Sequence, residues 1–418
     1  MSTLRIAVTG LAAAFPLGGV FWDYLQYLLG FHRLGHDVLY IEDTGKWCYD
    51  PVAMTYTEGG ANNAAYLAAQ IAKLDPGLRE RWFYRDGAGQ SYGAGWAKVV
   101  DFCRSADLFV LISGSCFMRE EYFAASRVIF IDSDPVYTQA SFLAALQDSG
   151  RDSAGHEARA RAEMIGRTGR FFTFGENIGR PGCRMPKAGL EWIPTRQPIV
   201  IGCFERATVP PAARRRVLTT VASWEPAEKA PVIEGVAYAG KSAEFERLIK
   251  LPSISSMPLE VAISGPAPRE RLSAAGWRLF DGHSVSVDPW TYRDYLAHSF
   301  GELSVAKNAY VRSRSGWFSG RSACYLALGV PVIVQDTGFA PGSIPAGEGL
   351  LTFSNLEEAR GAIDALASAP ARHASAAGEI AREYFASDRV LGRLLEQAMS
   401  TGSRPQGPPN RLRRDRAG

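Results

Sequence analysis

At 418 residues, 46% of them apolar and 21% charged, the chain is long enough for two domains with real cores, which excludes a disordered or fibrous protein. Forty-six Lys and Arg against 43 Asp and Glu leave a net charge of +3, too small to point to nucleic acid, so no nucleic-acid partner is expected. Part of that excess lies in residues 400–418, where five Arg and one Asp stand among Pro, Gly and Ser, the composition of a disordered basic tail.

In chain order, Leu4-Arg5-Ile6-Ala7-Val8 reads as a short buried strand, and a loop follows from Gly10 to Gly19. Phe21, Tyr24, Leu25, Leu28, Leu29 and Phe31 then recur near helical period, with Arg33 and Gly35 as a stop, and 37–41 is the next strand. Strand, helix and strand make a βαβ unit, which implies parallel pairing. No G-x-G-x-x-G follows the first strand, which argues against a dinucleotide oxidoreductase. Further strands are expected at 108–112, 128–131 and 171–174, and a surface helix over 141–168.

Pro181, Pro186 and Pro194, with Gly179, Gly182 and Gly189, make 177–196 irregular, and the boundary is placed there. An N-terminal domain would span 1–190 and a C-terminal one 196–399. The second has expected strands at 198–201, 232–238, 259–264, 302–305, 330–334 and 350–353. Helical patterns at 241–250, 267–275, 289–299, 319–328 and 355–368 alternate with them, and helices at 374–385 and 389–399 close the fold. The fold class is α/β, with two Rossmann-like doubly wound domains facing a cleft at the carboxyl ends of their sheets.

Cys48, Cys103, Cys116, Cys183, Cys203 and Cys324 form no C-x-x-C pair, and the His residues form no H-E-x-x-H, so no metal is expected. Pro16 and Gly18-Gly19 interrupt the early apolar stretch, and no run approaches the roughly 18 apolar residues of a membrane helix. A cytoplasmic protein without a transmembrane segment is the expectation.

The most informative stretch is Lys307 to Phe339, in which a polar, basic connection runs from a strand into a helix near 319–328, and a buried strand ends in Gln335-Asp336-Thr337-Gly338. A helix N-terminus offers unpaired N–H groups and partial positive charge. Arg312, Arg314 and Arg321 with Ser315, Ser319 and Ser322 add donors suited to a diphosphate. Gln335 and Asp336 would meet sugar hydroxyls at the same edge, and Lys307 and Lys241 are further phosphate candidates. The spacing is not that of a P-loop.

From Trp290 onward the sequence resembles the C-terminal domain of GT-B-fold glycosyltransferases. The resemblance is carried by Tyr292-Arg293-Asp294-Tyr295-Leu296, then 301–305, Arg314-Ser315-Gly316 and Leu328-Gly329-Val330-Pro331-Val332. Gly18-Gly19, the helix to Arg33-Leu34-Gly35-His36 and the strand to Ile41 resemble the start of the acceptor domain. The resemblance implies a hexosyltransferase-type enzyme that moves a sugar from a nucleoside-diphosphate sugar to a small-molecule or glycan acceptor. It implies no metal and no cofactor, the nucleotide sugar being a co-substrate. Lys307, Arg312, Arg314, Ser315, Gly316, Ser319, Arg321, Ser322, Gln335, Asp336, Thr337 and Gly338 would form the donor site, and Gly18, Gly19 and Trp22 the acceptor site.

The sequence departs from the family at the E-x7-E pair of many retaining members, whose places hold Gly316 and Cys324. That departure argues for inversion, which needs a base for the acceptor hydroxyl. Asp23 and Asp132 are the candidates, although the first also suits a helix dipole and the second a turn before Pro135. Two other readings stand beside this one: a nucleotide-sugar epimerase on the same scaffold, and a degenerate, non-catalytic binding protein.

Overall fold

The computed structural model describes residues 2–147, 153–224, 230–339 and 342–400, and the chain divides into two compact units. The first comprises Met1–Phe174, Pro186–Pro198 and Ser387–Gly418, and the second Gly175–Met185 and Ile199–Ala386. The basic tail expected at 400–418 lies outside the described residues beyond Ser400.

The first unit opens with β1 (Arg5–Thr9), α1 (Gly18–Arg33) and β2 (Asp37–Asp43), the expected βαβ unit. A small antiparallel hairpin, β3 (Cys48–Asp50) and β4 (Thr55–Thr57), leads to α2 (Ala61–Leu74). Then come β5 (Trp82–Arg85), β6 (Ser91–Gly93), α3 (Trp96–Ser105), β7 (Leu108–Ile112) and β8 (Val128–Asp132). The helix expected over 141–168 is two helices, α4 (Tyr137–Gln147) and α5 (Ser153–Gly166). β9 (Arg170–Thr173) and β10 (Trp192–Pro194) complete the sheet, whose order is β10-β9-β8-β7-β1-β2-β5-β6. Every pairing is parallel except β5 with β6. β7 and β8 are buried at every residue, as strands covered on both faces must be.

The second unit begins with α6 (Ile201–Glu205) and β11 (Arg215–Ser223), then the hairpin β12 (Val232–Ile233) and β13 (Val236–Ala237) and α7 (Lys241–Arg247). β14 (Leu259–Ser264), α8 (Arg269–Ala274), β15 (Arg278–Asp281), α9 (Gly282–Ser286), α10 (Pro289–Ala297) and β16 (Ser299–Ser304) follow. α11 (Asn308–Ser313), α12 (Gly320–Ala327), β17 (Val332–Gln335), β18 (Leu350–Phe353), α13 (Leu356–Ser368) and α14 (Pro370–Ile380) complete it. The sheet is wholly parallel, in the order β15-β14-β11-β16-β17-β18. The chain therefore reverses direction between β11 and β16, the place where doubly wound sheets open a crevice at their carboxyl ends. In the first unit the same reversal falls between β1 and β7.

Three expectations need correction. The stretch 198–201 is not a strand: Ile199 makes a single bridge to Ala386 before α6 begins. The first strand of the second sheet is instead β11, whose opening Arg-Arg and internal Thr219-Thr220 hide it from a hydrophobicity reading. Thr219 is fully buried, and its hydroxyl donates to Ser299 Oγ (2.6 Å) and pairs with the Tyr325 hydroxyl (2.7 Å). The expected strand at 232–238 is the β12–β13 hairpin, outside the main sheet. Finally, the last helix, α15 (Ser387–Met399), belongs to the first unit rather than closing the second. It packs on α1 at Gly30, where a Cβ would stand 2.5 Å from Leu391 Cδ1.

Candidate functional site

In the second unit, the connections that leave the carboxyl ends of β16 and β17 run side by side. Gly316 N–H donates to Thr337 O (2.9 Å), and Thr337 Oγ1 donates to Trp317 O (2.6 Å). Asn177 fastens both from the segment Gly175–Met185: its amide donates to Gly338 O (2.8 Å) and Arg314 O (3.2 Å), and its N–H to Ser315 O (3.0 Å). Gly316 (φ 77°) and Gly338 (φ 94°) are both left-handed and lie against this side chain. Replacing Asn177 with Ala leaves the two carbonyls without their donor, and a loss of about 1–2 kcal/mol in urea unfolding at unchanged m is the expected outcome.

The two connections frame the N-terminus of α12. Ser319, its N-cap residue, makes no side-chain capping bond, and the first turn carries no acidic residue. The first N–H groups of the helix therefore lack an intrahelical or capping partner. Beside them a cavity of about 10 Å³, lined by Ser304, Ser319 and Ser322 among others, has room for about one water. Ser322 Oγ is fully buried there with no hydrogen-bond partner among the described residues. Unpaired N–H dipoles at a helix start are the kind of group that suits an anion.

Cations flank it. Arg314, itself left-handed (φ 51°), is 55% exposed at its side chain, with its guanidinium 3.9 Å from Asp336. Lys307 is the N-cap of α11 and holds its ammonium over the Tyr310 ring, 5.7 Å from the centroid. Asn308 N–H donates to Gly240 O (3.2 Å), so Lys307 and Lys241 begin neighbouring helices. Arg312 is exposed, donating to Ala237 O (2.8 Å).

Other expected donor-site side chains are committed elsewhere. Arg321 is an internal ion pair, not a phosphate ligand: Nε donates to Glu302 (2.7 Å), and its terminal nitrogens to Val221 O (2.7 Å) and Ser304 Oγ (2.9 Å). Gln335 does not present its amide for sugar hydroxyls. Its oxygen accepts from Ala306 N–H (3.1 Å) and its nitrogen donates to buried Glu244 (2.6 Å), which also accepts from Asn308 (2.6 Å). Ser315 and Thr337 are buried in the loop, and Asp336 accepts from Gly338 N–H (2.7 Å). Asn177 and Glu244 escape sequence reasoning because one sits in a Pro- and Gly-rich stretch and the other in a charged helix.

In the first unit, Gly18 and Gly19 form the first turn of α1 rather than a loop. Trp22 is 2% exposed and packs edge-on against Phe21 in the core, which removes it as a stacking platform for an acceptor. Asp23 is exposed on α1, and its backbone carbonyl accepts from Gln197 (2.9 Å). Asp132 is fully buried, with both oxygens engaged: Oδ1 by Asp134 N–H (3.1 Å) and Thr138 Oγ1 (2.7 Å), Oδ2 by Gln139 (2.9 Å) and Thr173 Oγ1 (2.8 Å). This geometry makes it the clamp of the turn after β8, in place of a proton acceptor open to a ligand. A pocket of about 370 Å³ lies beyond that turn, lined by Tyr24, Ser113, Ser133, Asp134, Tyr137 and Phe142 among others.

The loop after β1 is held by Glu42, which accepts from Ala13 N–H (2.9 Å), Ala14 N–H (2.5 Å) and the Tyr40 hydroxyl (2.8 Å). Burial outweighs these donors and pushes its carboxyl up to about 7, as it pushes Asp132 up to about 6. A raised carboxyl keeps its proton in the folded state at a pH where the unfolded state has lost it. Stability is therefore expected to fall as pH rises from about 4.5 to about 7, by a few kcal/mol in urea unfolding, and Glu42→Gln to flatten that slope. A slope unchanged in this variant counts against the assignment to Glu42.

No helix among the described residues is long and apolar enough to cross a membrane. No family model and no curated protein matches the chain. Solved structures do match. An alpha-glucosyltransferase in complex with UDP and a 13-mer DNA containing a central A:G mismatch is 10% identical, with a TM-score of 0.55, over 96% of this chain and 100% of that one. An alpha-glucosyltransferase in complex with UDP and a 13-mer DNA containing a HMU base matches at 9% identity and a TM-score of 0.56, over the same shares. An alpha-glucosyltransferase in complex with UDP-glucose and DNA containing an abasic site matches at 10% and 0.53, again over 96% and 100%. The chain has the GT-B fold of these structures, as its α/β topology implies. They also correct the expectation of no nucleic-acid partner, since proteins of this fold are in complex with DNA. A net charge sums over the whole surface, whereas binding depends on where the charges stand.

Proposed function

We propose that the chain is a glycosyltransferase that moves a hexosyl group from a nucleoside-diphosphate sugar to a hydroxyl-bearing acceptor, with inversion and without a metal. The observation that carries this reading is the uncapped N-terminus of α12, beside the reversal of the second sheet, with Lys307 and Arg314 on the connection that leads to it. The acceptor hydroxyl gives its proton to a general base, its oxygen bonds to the anomeric carbon from the face opposite the diphosphate, the bond to the diphosphate breaks, and the leaving oxygen keeps the electron pair. Fixed N–H dipoles and the two cations stabilise the charge that develops there. Inversion is supported by Gly316 and Cys324 standing where a retaining pair of Glu would be. The six free thiols fit a reducing, cytoplasmic setting.

UDP is the first donor nucleotide to test. At about 100 times its dissociation constant it should add about 2.7 kcal/mol of stability, read as a rise in Tm. Arg314→Asn tolerates the left-handed backbone and removes the cation, so the expected result is at least a tenfold weaker response. Turnover of UDP-glucose unaffected by EDTA is expected, and a loss that magnesium restores would contradict the metal-free part of the reading. No Tm response to UDP, ADP, GDP, CDP or dTDP would remove the donor site.

A further inference from the structure

Glu244, on α7, is 1% exposed, and both of its oxygens accept hydrogen bonds within the second unit. Oε1 accepts from Asn308 Nδ2 (2.6 Å), and Oε2 from Gln335 Nε2 (2.6 Å) and from Arg247 one turn along the helix (3.1 Å). A carboxylate only accepts, so both amides must turn their NH2 groups toward it and their oxygens away. Each of those oxygens meets a backbone N–H. Asn308 Oδ1 accepts from Ala239 (3.2 Å), two residues before Lys241, and Gln335 Oε1 from Ala306 (3.1 Å), the residue before Lys307. One buried charge thereby fixes the chain just ahead of both lysines. A neutral glutamine in its place could accept from one amide but would turn its own NH2 toward the other.

Further contacts carry that order toward α12. Asn308 N–H donates to Gly240 O (3.2 Å) and Ala309 N–H to Ala239 O (3.0 Å), so the beginnings of α7 and α11 are bonded main chain to main chain. The Lys307 ammonium lies over the Tyr310 ring, and that ring stacks on Trp317 with centroids 4.3 Å apart, two residues before Ser319. Gln335 itself lines the small cavity beside Ser319 and Ser322.

We infer that Glu244 is a positioning residue of the donor site: through Asn308 and Gln335 it sets Lys241 and Lys307 at the spacing at which both reach one diphosphate at the start of α12. The inference rests on the donor reading proposed above. Glu244 touches no substrate. Its own charge repels a phosphate, so what it contributes to binding comes through geometry and against its electrostatics.

The test is calorimetric titration of the full chain and its variants with UDP, or with the nucleoside diphosphate that raises Tm in its place. In Glu244→Gln one of the two amides loses its acceptor, and the nucleotide should bind at least about tenfold more weakly, the worth of one charge-assisted hydrogen bond. Coulomb's law alone gives the opposite sign, because the variant removes a negative charge near the phosphates. Asn308→Asp sets two carboxylates face to face and should weaken binding as well. The double variant Glu244→Gln/Asn308→Asp exchanges amide and carboxylate across the same contact. The new amide donates to the new carboxylate and still accepts from Gln335, so affinity should return to within about threefold of wild type. Tm is read beside each titration: a purely structural Glu244 lowers Tm in the single variants but leaves the affinity of the folded chain as it is. Lys241→Met and Lys307→Met test the same claim without touching the buried network, and each should weaken binding by at least about tenfold. Wild-type or tighter binding in folded Glu244→Gln, a double variant no better than the single ones, or wild-type affinity in either lysine variant overturns the inference and leaves the donor reading standing. A wild type that binds no nucleoside diphosphate removes both.

Discussion

Arg321→Met is expected to destabilise the chain by about 3–5 kcal/mol, the cost of leaving a buried carboxylate without its partner. The stranded group is Glu302, in the middle of the second sheet and fully buried, with Oε1 held by Arg321 and Oε2 without any hydrogen-bond partner among the described residues. The same change removes the donors to Val221 O and Ser304 Oγ at the ends of two strands. Chemical denaturation measures the loss directly. The double variant Glu302→Gln/Arg321→Met should recover much of it, because the remaining amide carries no charge to desolvate. A single variant as stable as wild type would show that the carboxylate is solvated or protonated, and the internal ion pair would have to be given up.

Gly316→Val is expected to weaken UDP binding at least 100-fold while the chain remains folded. The backbone there is left-handed, and a Cβ would stand 2.8 Å from Asn177 Cγ and 2.9 Å from Asn177 N. A β-branched residue meets both penalties, so the loop must leave Asn177 and carry Arg314 and the entry to α12 with it. Gly316→Ala, with the same collision but a smaller conformational penalty, should fall between the two. Calorimetric titration of UDP, beside a far-UV spectrum to confirm folding, reads the result. Wild-type affinity in Gly316→Val would mean that the loop takes no part in donor binding.

Much of the fold is legible in the sequence because parallel strands buried on both faces leave unbroken apolar runs, as at 108–112 and 128–131. The reading fails where burial is achieved by polar residues. β11 has Thr219 and Thr220 where an apolar residue would announce a strand, and the hydroxyl of Thr219 is satisfied by Ser299 and Tyr325, more than 75 residues away. The last helix reads as part of the second unit by position, and only the Gly30 notch against Leu391 shows where it belongs.

The candidate site divides in the same way. The N-terminus of α12 and the exposed Arg314 follow from local pattern, since a strand, a basic connection and a helix announce an anion site. Which cations face outward does not follow. Arg314 and Arg321 look equivalent in sequence, yet one is mostly exposed and the other is consumed by Glu302, a partner 19 residues away. Asp132 and Asp134 show the same ambiguity two residues apart: the first is enclosed by four donors and the second lines a pocket. β8 ends at Asp132 and Asp134 stands in the turn beyond it, so only tertiary packing separates the clamp from the pocket wall.

The most direct measurement is a crystal structure of the full chain with UDP. Diphosphate oxygens are expected about 2.7–3.2 Å from the backbone N–H groups of the first turn of α12, within reach of the Arg314 guanidinium. A diphosphate held elsewhere in the second unit, or in the pocket of the first, would contradict it.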